Sequence, residues 1–239
     1  MDSVKNHFLA LLEEKGIRLS SEQWNQFEQY YQLLVEWNRK MNLTAITERE
    51  QVYVKHFYDS LSLSFFVPMD RIRTVADIGS GSGFPGIPLK IVFPHLKLTI
   101  IDSLNKRIVF LQHLVEQLRL QDVECVHSRA EDAARNLSWR DRFDLVTARA
   151  VARLNVLNEL CLPFAKPGGL FAAMKGSQGL EELGQAENSL KLLKGETAGA
   201  HHFRLPFEDA DRIIILIRKT GATPGKYPRK AGIPAKQPL

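Results

Sequence analysis

Cysteine is scarce in this chain, at two residues of 239. Cys125 and Cys161 stand far apart and neither belongs to a CxxC pair, which argues against a disulfide framework or any metal site of the zinc type and points to a reducing cytoplasm. No stretch approaches the ~18 consecutive apolar residues that a membrane-spanning helix needs. The N-terminus, MDSVKNHFLALLEEKG, carries acids inside an amphipathic pattern and lacks the continuous apolar core of a secretory signal. Acids are missing altogether from Arg218 to Leu239, where six of the 32 basic residues lie. That leaves 26 basic against 27 acidic residues in the first 217, so the net charge of +5 is a C-terminal feature. Such a patch suits a phosphate backbone, and a solubilising tail would look the same.

With 44% hydrophobic and 25% charged residues the composition is that of a soluble globular protein, long enough for one α/β domain and an appendage. The first third reads as helical. Apolar residues recur at helical spacing in Phe8, Leu9 and Leu12, then in Trp24, Phe27, Tyr31, Leu34 and Val35. Ser20 with Gln23 predicts a capping box ahead of the second run. Thr47 with Glu50 repeats that signal ahead of a third, which runs to about Phe66 before Pro68 closes the section.

From Ile72 short apolar runs alternate with helical patterns. Strands are expected over 73–78, 97–102, 122–127, 143–148, 169–175 and 211–219, with LNKRIVFLQHLVEQL and LNVLNELCLPFA as two of the intervening helices. This alternation predicts an α/β fold with a doubly wound, mostly parallel, Rossmann-like sheet behind an N-terminal helical extension. The long separation before 211–219 leaves room for that last strand to be antiparallel. The expected division is an extension over 1–70, a sheet domain over 71–220 and a basic arm over 221–239, extended because of Pro224, Pro228, Pro234 and Pro238.

The segment Asp77 to Gly86, DIGSGSGFPG, follows the first expected strand. Glycines at the carboxyl edge of an open sheet let a backbone approach a ligand closely, and the following helix N-terminus favours an anionic group. Pro85 is expected at the first helical position. Two frames fit. Gly81, Gly83 and Gly86 satisfy GxGxxG, the dinucleotide fingerprint. Asp77 with Gly79, Gly81 and Gly83 instead resembles the first motif of class I S-adenosylmethionine-dependent methyltransferases. Asp102, closing the next strand, suits ribose hydroxyls in either. Asp77 fits only the second frame, Arg129-Ala130-Glu131-Asp132 resembles the methyltransferase segment beside the adenine, and DRIIILIRK resembles a strand inserted late in such sheets. The methyl donor is therefore the expected cofactor.

Missing motifs narrow the acceptor. Neither cysteine has the Pro-Cys context of a cytosine-carbon methyltransferase, and the fourth strand is followed by Thr147-Ala148-Arg149-Ala150 instead of [DNS]-P-P-[YF]. A ring nitrogen with a free lone pair, such as guanine N7, needs no base. The chain resembles the ribosomal RNA small subunit methyltransferase G family through Trp37-Asn38 with Asn42-Leu43-Thr44, His56-Phe57-Tyr58-Asp59-Ser60-Leu61, DIGSGSGFPGIPLKI, Arg129-Ala130-Glu131, Arg149-Ala150-Val151-Ala152, Met174-Lys175-Gly176 and RKAGIPAKQPL. These segments run in order from about residue 37 to the last. The resemblance implies methylation of guanine N7 in the 16S rRNA loop near the decoding centre, with 16S rRNA or the small ribosomal subunit as partner, and puts Gly79, Phe84, Ala130, Glu131 and Arg149 around the cofactor. A monomer is expected. A small-molecule methyltransferase and a non-catalytic assembly factor are the rival readings. The basic arm disfavours the first, and the cofactor motifs disfavour the second.

Other residues carry open alternatives. Arg149, at the end of the fourth strand, suits the methionyl carboxylate, an RNA phosphate or a surface salt bridge. His56 and Asp59, three apart on one helical face, suit a catalytic contact or a helix anchor. Trp37 either stacks on a base or packs in the core. Asn38 and Asn42 either line the cleft or cap a helix end. Lys175 is placed for an RNA phosphate or the guanine O6. Arg229, Lys230 and Lys236 are the expected electrostatic RNA contacts.

Overall fold

A computed structural model of the chain describes residues 2–207 and 210–239. Its centre is a seven-stranded sheet built from β1 (Thr74–Ile78), β2 (Lys97–Asp102), β3 (Val123–His127), β4 (Phe143–Arg149), β5 (Ala165–Lys175), β6 (Gly195–Arg204) and β7 (Asp211–Lys219), in the order β3-β2-β1-β4-β5-β7-β6. The first five strands pair in parallel, and β7 runs antiparallel between β5 and β6. The expected late insertion of the last strand is what the sheet shows. The order reverses between β1 and β4, and ligands bind at such a switch point, outside the strands' carboxyl ends.

Side chains alternate across each strand, and this divides the core in two. Ala172 and Met174 of β5 point into one hydrophobic cluster, Phe171 and Ala173 into the other. The first face is covered by α1 (Ser3–Glu13), α2 (Ser21–Met41), a helical rod over 49–65, α5 (Gly86–Val92) and α6 (Asn105–Gln117). The second lies under α7 (Ala130–Ala133), α8 (Leu154–Cys161), α9 (Gly179–Gly184), α10 (Glu187–Leu192) and the C-terminal segment with α11 (Ile233–Lys236). The helices of 1–70 therefore share one core with the sheet. Phe8, Phe27, Tyr53 and Phe57 meet there edge to face or tilted, with centroids 4.9 to 6.5 Å apart. Truncating a ring such as Phe57 to Ala in such a cluster costs about 3–5 kcal/mol.

Local details depart from the sequence reading. The capping box of Ser20 and Gln23 forms as expected. The second cap does not: Glu48, not Thr47, takes the N-cap position, accepting the amides of Glu50 and Gln51. The rod that follows is composite, with α3 (Arg49–Val52), a π turn (Tyr53–Tyr58), α4 (Asp59–Leu61) and a 3-10 turn (Ser62–Phe65). Pro85 caps α5 from outside, and the helix begins at Gly86. Strand β6 was not expected. GETAGAHHFR has too little apolar alternation to announce a strand, and it is an edge strand paired only with β7.

The basic C-terminus is not an extended arm. Tyr227, Pro228 and Pro234 are buried. Arg140 donates to the carbonyls of Thr223, Pro224 and Tyr227, and Arg135 to that of Pro228. Prolines remove donors but leave carbonyls, so two arginines from 130–142 can fix a proline-rich segment that no strand could pair.

Candidate active site

The loop after β1 is fixed from three sides. Asp77, fully buried at 0% exposure, accepts the Ser80 hydroxyl at 2.6 Å and the Gly86 amide at 2.8 Å through Oδ2. Its Oδ1 is buried without a partner, and burial pushes the carboxyl up to about 6. Asp102 accepts the amide of Gly81 at 3.0 Å, the amide of Leu104 at 2.9 Å and Arg107 Nη1 at 3.3 Å. From the other side Tyr30 donates to the Ser82 carbonyl at 2.5 Å, and the Ser82 hydroxyl donates to the Leu43 carbonyl at 3.1 Å. The helical layer therefore grips the loop. At Gly79 (φ +70°) a Cβ would stand 2.8 Å from Val151, and at Gly83 (φ +104°) one would stand 2.5 Å from the Tyr30 hydroxyl. Only glycine fits both the conformation and the space.

Two clefts open at this edge and share a wall. The smaller, about 210 Å³, is lined by Leu43, Thr44, Gly79 to Ser82, Phe84 and Arg107. The larger, about 450 Å³, lies over the ends of β4 and β5 and includes Lys55, Asp59, Lys175, Glu182 and Arg212. His56, Arg149 and Ala150 line both. Ala150 has φ +56°, a strained backbone for a residue with a Cβ, of the kind held at functional sites by the surrounding structure.

Arg149 is the hinge between the clefts. Its Nη1 donates to Asp59 Oδ2 at 3.0 Å and to the Lys55 carbonyl at 3.3 Å, and its guanidinium lies 5.0 Å over the Phe84 ring. Asp59 also accepts from Arg212 Nε at 3.2 Å, so one carboxylate from the rod holds a cation from each of β4 and β7. His56 stacks on Phe84 at 4.7 Å, and Phe84 stacks on Tyr30 at 5.4 Å. The imidazole Nε2 meets Thr44 Oγ1 at 3.0 Å, while Nδ1 is buried without a partner. Burial, and then the Arg149 charge, push this imidazole down to about 4, so it is neutral at pH 7.

The chain matches the family model described as rRNA small subunit methyltransferase G over residues 23–210. It belongs to that family. Ribosomal RNA small subunit methyltransferase G of Brevibacillus brevis is 55% identical over 236 residues, covering 99% of each chain. The protein of the same description from Geobacillus thermodenitrificans is 56% identical over 232 residues, covering 97% of this chain and 98% of its own. Among solved structures, an O-methyltransferase from Bacillus cereus in complex with SAH superposes with a TM-score of 0.56 at 14% identity, over 80% of this chain and 91% of that one. TYW2 of M. jannaschii in complex with AdoMet gives 0.52 at 13% identity, over 69% and 76%. At these identities the likeness is one of fold.

For a member of this family, the expected site residues fall into three groups. Gly79, Gly81, Phe84 and Arg149 line the smaller cleft, while Gly83 lies outside its lining, packed against the Tyr30 hydroxyl, Ile87 and Leu111. Lys175, His56, Asp59 and Arg149 line the larger. The others stand elsewhere or act through neighbours. Asp77 is sealed beneath the loop and braces it, so direct contact with a ligand is replaced by the two bonds it accepts. His56 and Asp59 do not touch. An i→i+5 turn rotates less per residue than an α-helix, so residues three apart leave the common face. Phe84 presents a ring sandwiched between Tyr30 and His56.

Glu131 is buried, and its Oε1 accepts the Gly232 amide at 2.8 Å, while Ala130 stays half-buried at the start of α7. Trp37 packs against Phe110 and His113, the core alternative. Asn38 accepts the Thr44 amide at 2.8 Å, and Asn42 ends α2 in a left-handed conformation, the capping alternative for both. Lys175 forms an ion pair with Glu182 at 2.7 Å and donates to the Ala152 carbonyl at 2.8 Å. Arg229 is not a free cation: it grips the fully buried Glu159 through Nε and Nη2, at 2.6 Å for the latter. Lys230 and Lys236 are exposed.

Sequence reasoning missed Tyr30, Arg107, Glu182 and Arg212. Arg107 had a local signal, a cation one helical turn past Asp102. The rest come from distant segments that only the fold unites. Among the described residues no group of three or more His, Cys, Asp or Glu could hold a metal ion, and no helix is long and apolar enough to cross a membrane.

Proposed function

We propose that this chain transfers a methyl group from S-adenosylmethionine to N7 of a guanine in 16S rRNA, in the loop near the decoding centre, acting as a cytoplasmic monomer on the small ribosomal subunit. The observation that carries this reading is the pair of clefts meeting at His56, Arg149 and Ala150, one lined by glycine backbone and the other by cations from four elements, the rod, β4, β5 and β7.

The residues of the smaller cleft fit the donor. Gly81 leaves open space where a Cβ would stand. Asp102, buried behind the loop, makes three hydrogen bonds on a carboxylate with about four acceptor positions, and we assign the fourth to a ribose hydroxyl. Arg107 and Arg149 are the cations available for a carboxylate, and we assign the half-buried Ala130 backbone at the start of α7 to the adenine edge. Bound there, S-adenosylmethionine would supply a methyl group activated by a sulfonium. The chain then has mainly to orient the acceptor and exclude water, because a ring nitrogen attacks with its own lone pair. Keeping His56 neutral helps, since an imidazolium beside Arg149 would repel a cationic donor. Lys230 and Lys236 are the tail residues we assign to RNA phosphate.

Incubating small subunits with the protein and methyl-labelled donor tests the reading. Label should enter 16S rRNA at one guanine and render that position cleavable by chemistry specific for 7-methylguanine. Label confined to another base, or no incorporation, overturns it.

A further inference from the structure

The larger cleft contains two carboxylates, and they differ in what is left to them. Asp59 has both oxygens paired, Oδ2 with Arg149 and Oδ1 with Arg212. Glu182, on α9, engages only Oε2: it forms an ion pair with Lys175 Nζ at 2.7 Å and accepts the Leu154 amide at 2.7 Å. Its Oε1 has no hydrogen-bond partner among the described residues, although the side chain is only 15% exposed and lines the cleft. These two contacts anchor Oε2 and leave Oε1 as the oxygen available to the cleft. Glu182 touches the larger cleft alone, whereas His56, Arg149 and Ala150 form its border with the donor cleft. The available carboxylate oxygen therefore belongs to a residue that is not part of the wall shared with the donor cleft.

That separation matches guanine. N7 and the N1–N2 edge lie at opposite ends of the base. With N7 turned to the shared wall, N1–H and the N2 amine face away from it, and O6 lies between, toward cations. We propose that Glu182 is the specificity-determining residue for guanine, Oε1 accepting from N1–H and the N2 amine while Lys175 donates to O6. This rests on the methyl-transfer reading above and deepens it. Adenine offers no donor at N1 and an amine where O6 would be, so it would leave the carboxylate unpaired and set an amine against Lys175.

The same contact acts on the chemical step. The N7 lone pair forms the new bond to carbon as the carbon–sulfur bond breaks, its electron pair going to sulfur, and the positive charge passes to the purine. No proton leaves. The N1–H and N2 protons become more acidic as that charge develops, so a fixed carboxylate binds them more strongly in the transition state than in the ground state. Lys175 and the Leu154 amide are the positioning groups that keep it aimed.

The test compares small subunits whose target nucleotide is guanosine or inosine, which lacks only the N2 amine, under single-turnover conditions. Wild-type protein should methylate the inosine subunits about 10- to 100-fold more slowly. Glu182→Gln presents an amide in place of the accepting oxygen. It should methylate guanosine subunits about 100-fold more slowly, treat guanosine and inosine alike, and keep its calorimetric affinity for S-adenosylmethionine. A variant that slows but preserves the wild-type ratio would show that Glu182 only supports Lys175, and would overturn the proposal. The wild-type arm needs no variant to fold: equal rates on both subunits overturn it outright. Wild-type methylation of guanosine without discrimination defeats this inference alone, whereas no methylation of 16S rRNA defeats the function and the inference together.

Discussion

The two ends of the chain invert what their composition suggests. The N-terminal helices read as an appendage, yet they complete the site: Tyr30 and Leu43 grip the glycine loop, His56 stacks on Phe84, and Asp59 holds Arg149. The C-terminal segment reads as a basic arm for RNA, yet much of it is folded against the second face of the sheet. Lys219 is sealed in a cage of Asp141, Thr223 and two carbonyls, and Arg229 is held by Glu159. A count of charges locates cations in the sequence but says nothing of which ones keep their field for a partner. Here a buried acid on α8, Glu159, and a half-buried one before β4, Asp141, neutralise two of the six.

Perturbing each end should separate these roles. The largest effect is expected at the shared wall, where Arg149→Ala should lower single-turnover methylation about 10²- to 10³-fold with little change in melting. Unchanged turnover would remove Arg149 from the site. Asp59→Asn should follow, with methylation reduced about 10-fold or more and stability lowered by about 2–3 kcal/mol, because Arg149 and Arg212 lose a buried anion. At the other end, Arg229→Ala should leave Glu159 buried and unpaired and cost about 3 kcal/mol in denaturant unfolding. Its turnover on intact subunits should stay near wild type, and a loss of turnover exceeding the loss of stability would restore Arg229 as an RNA contact.

A smaller effect is expected in the pH dependence. His56 is held near 4, below its ordinary 6.5, so its stabilising contribution is present above 6.5 and lost as pH falls toward 4. Asp77 is held near 6, above its ordinary 3.8, so its contribution has the opposite sign: it is full below 3.8 and is lost as pH rises through 6. The stability gap between wild type and His56→Gln, measured by urea unfolding, should therefore narrow by roughly 2 kcal/mol between pH 7 and pH 4.5. A constant gap would mean the imidazole is not held neutral. The smallest effect is reserved for Lys230→Ala with Lys236→Ala, which should weaken subunit binding a few-fold and flatten its logarithmic salt dependence by about 2.

What could be read from the sequence was what local pattern encodes. Strand alternation, the Ser20 cap and the glycine loop depend on neighbours within a few residues, and each appears where expected. The antiparallel last strand was legible too, from the length of chain before it. Strand β6 was not, because its order comes from pairing with β7 and not from its own apolar pattern. The site was half legible. Arg149 and Lys175 lie at strand ends, where position follows from the fold class. Glu182, Arg212 and Tyr30 meet the cleft only through packing of segments far apart in sequence. Asp77 belongs to the loop's motif in the sequence, but its place beneath the loop, fully buried and bracing Ser80 and Gly86, comes only from the fold.

At the shared wall the N-terminal rod and β4 act as one unit. A double-mutant cycle on Asp59→Asn and Arg149→Lys, read as single-turnover methyl transfer to small subunits, tests it most directly. Strong coupling is expected, with the double variant no more than about two-fold slower than Arg149→Lys alone and an interaction energy of about 1 kcal/mol or more. Costs that add to within about 0.5 kcal/mol would contradict it, placing the rod outside the chemistry it encloses.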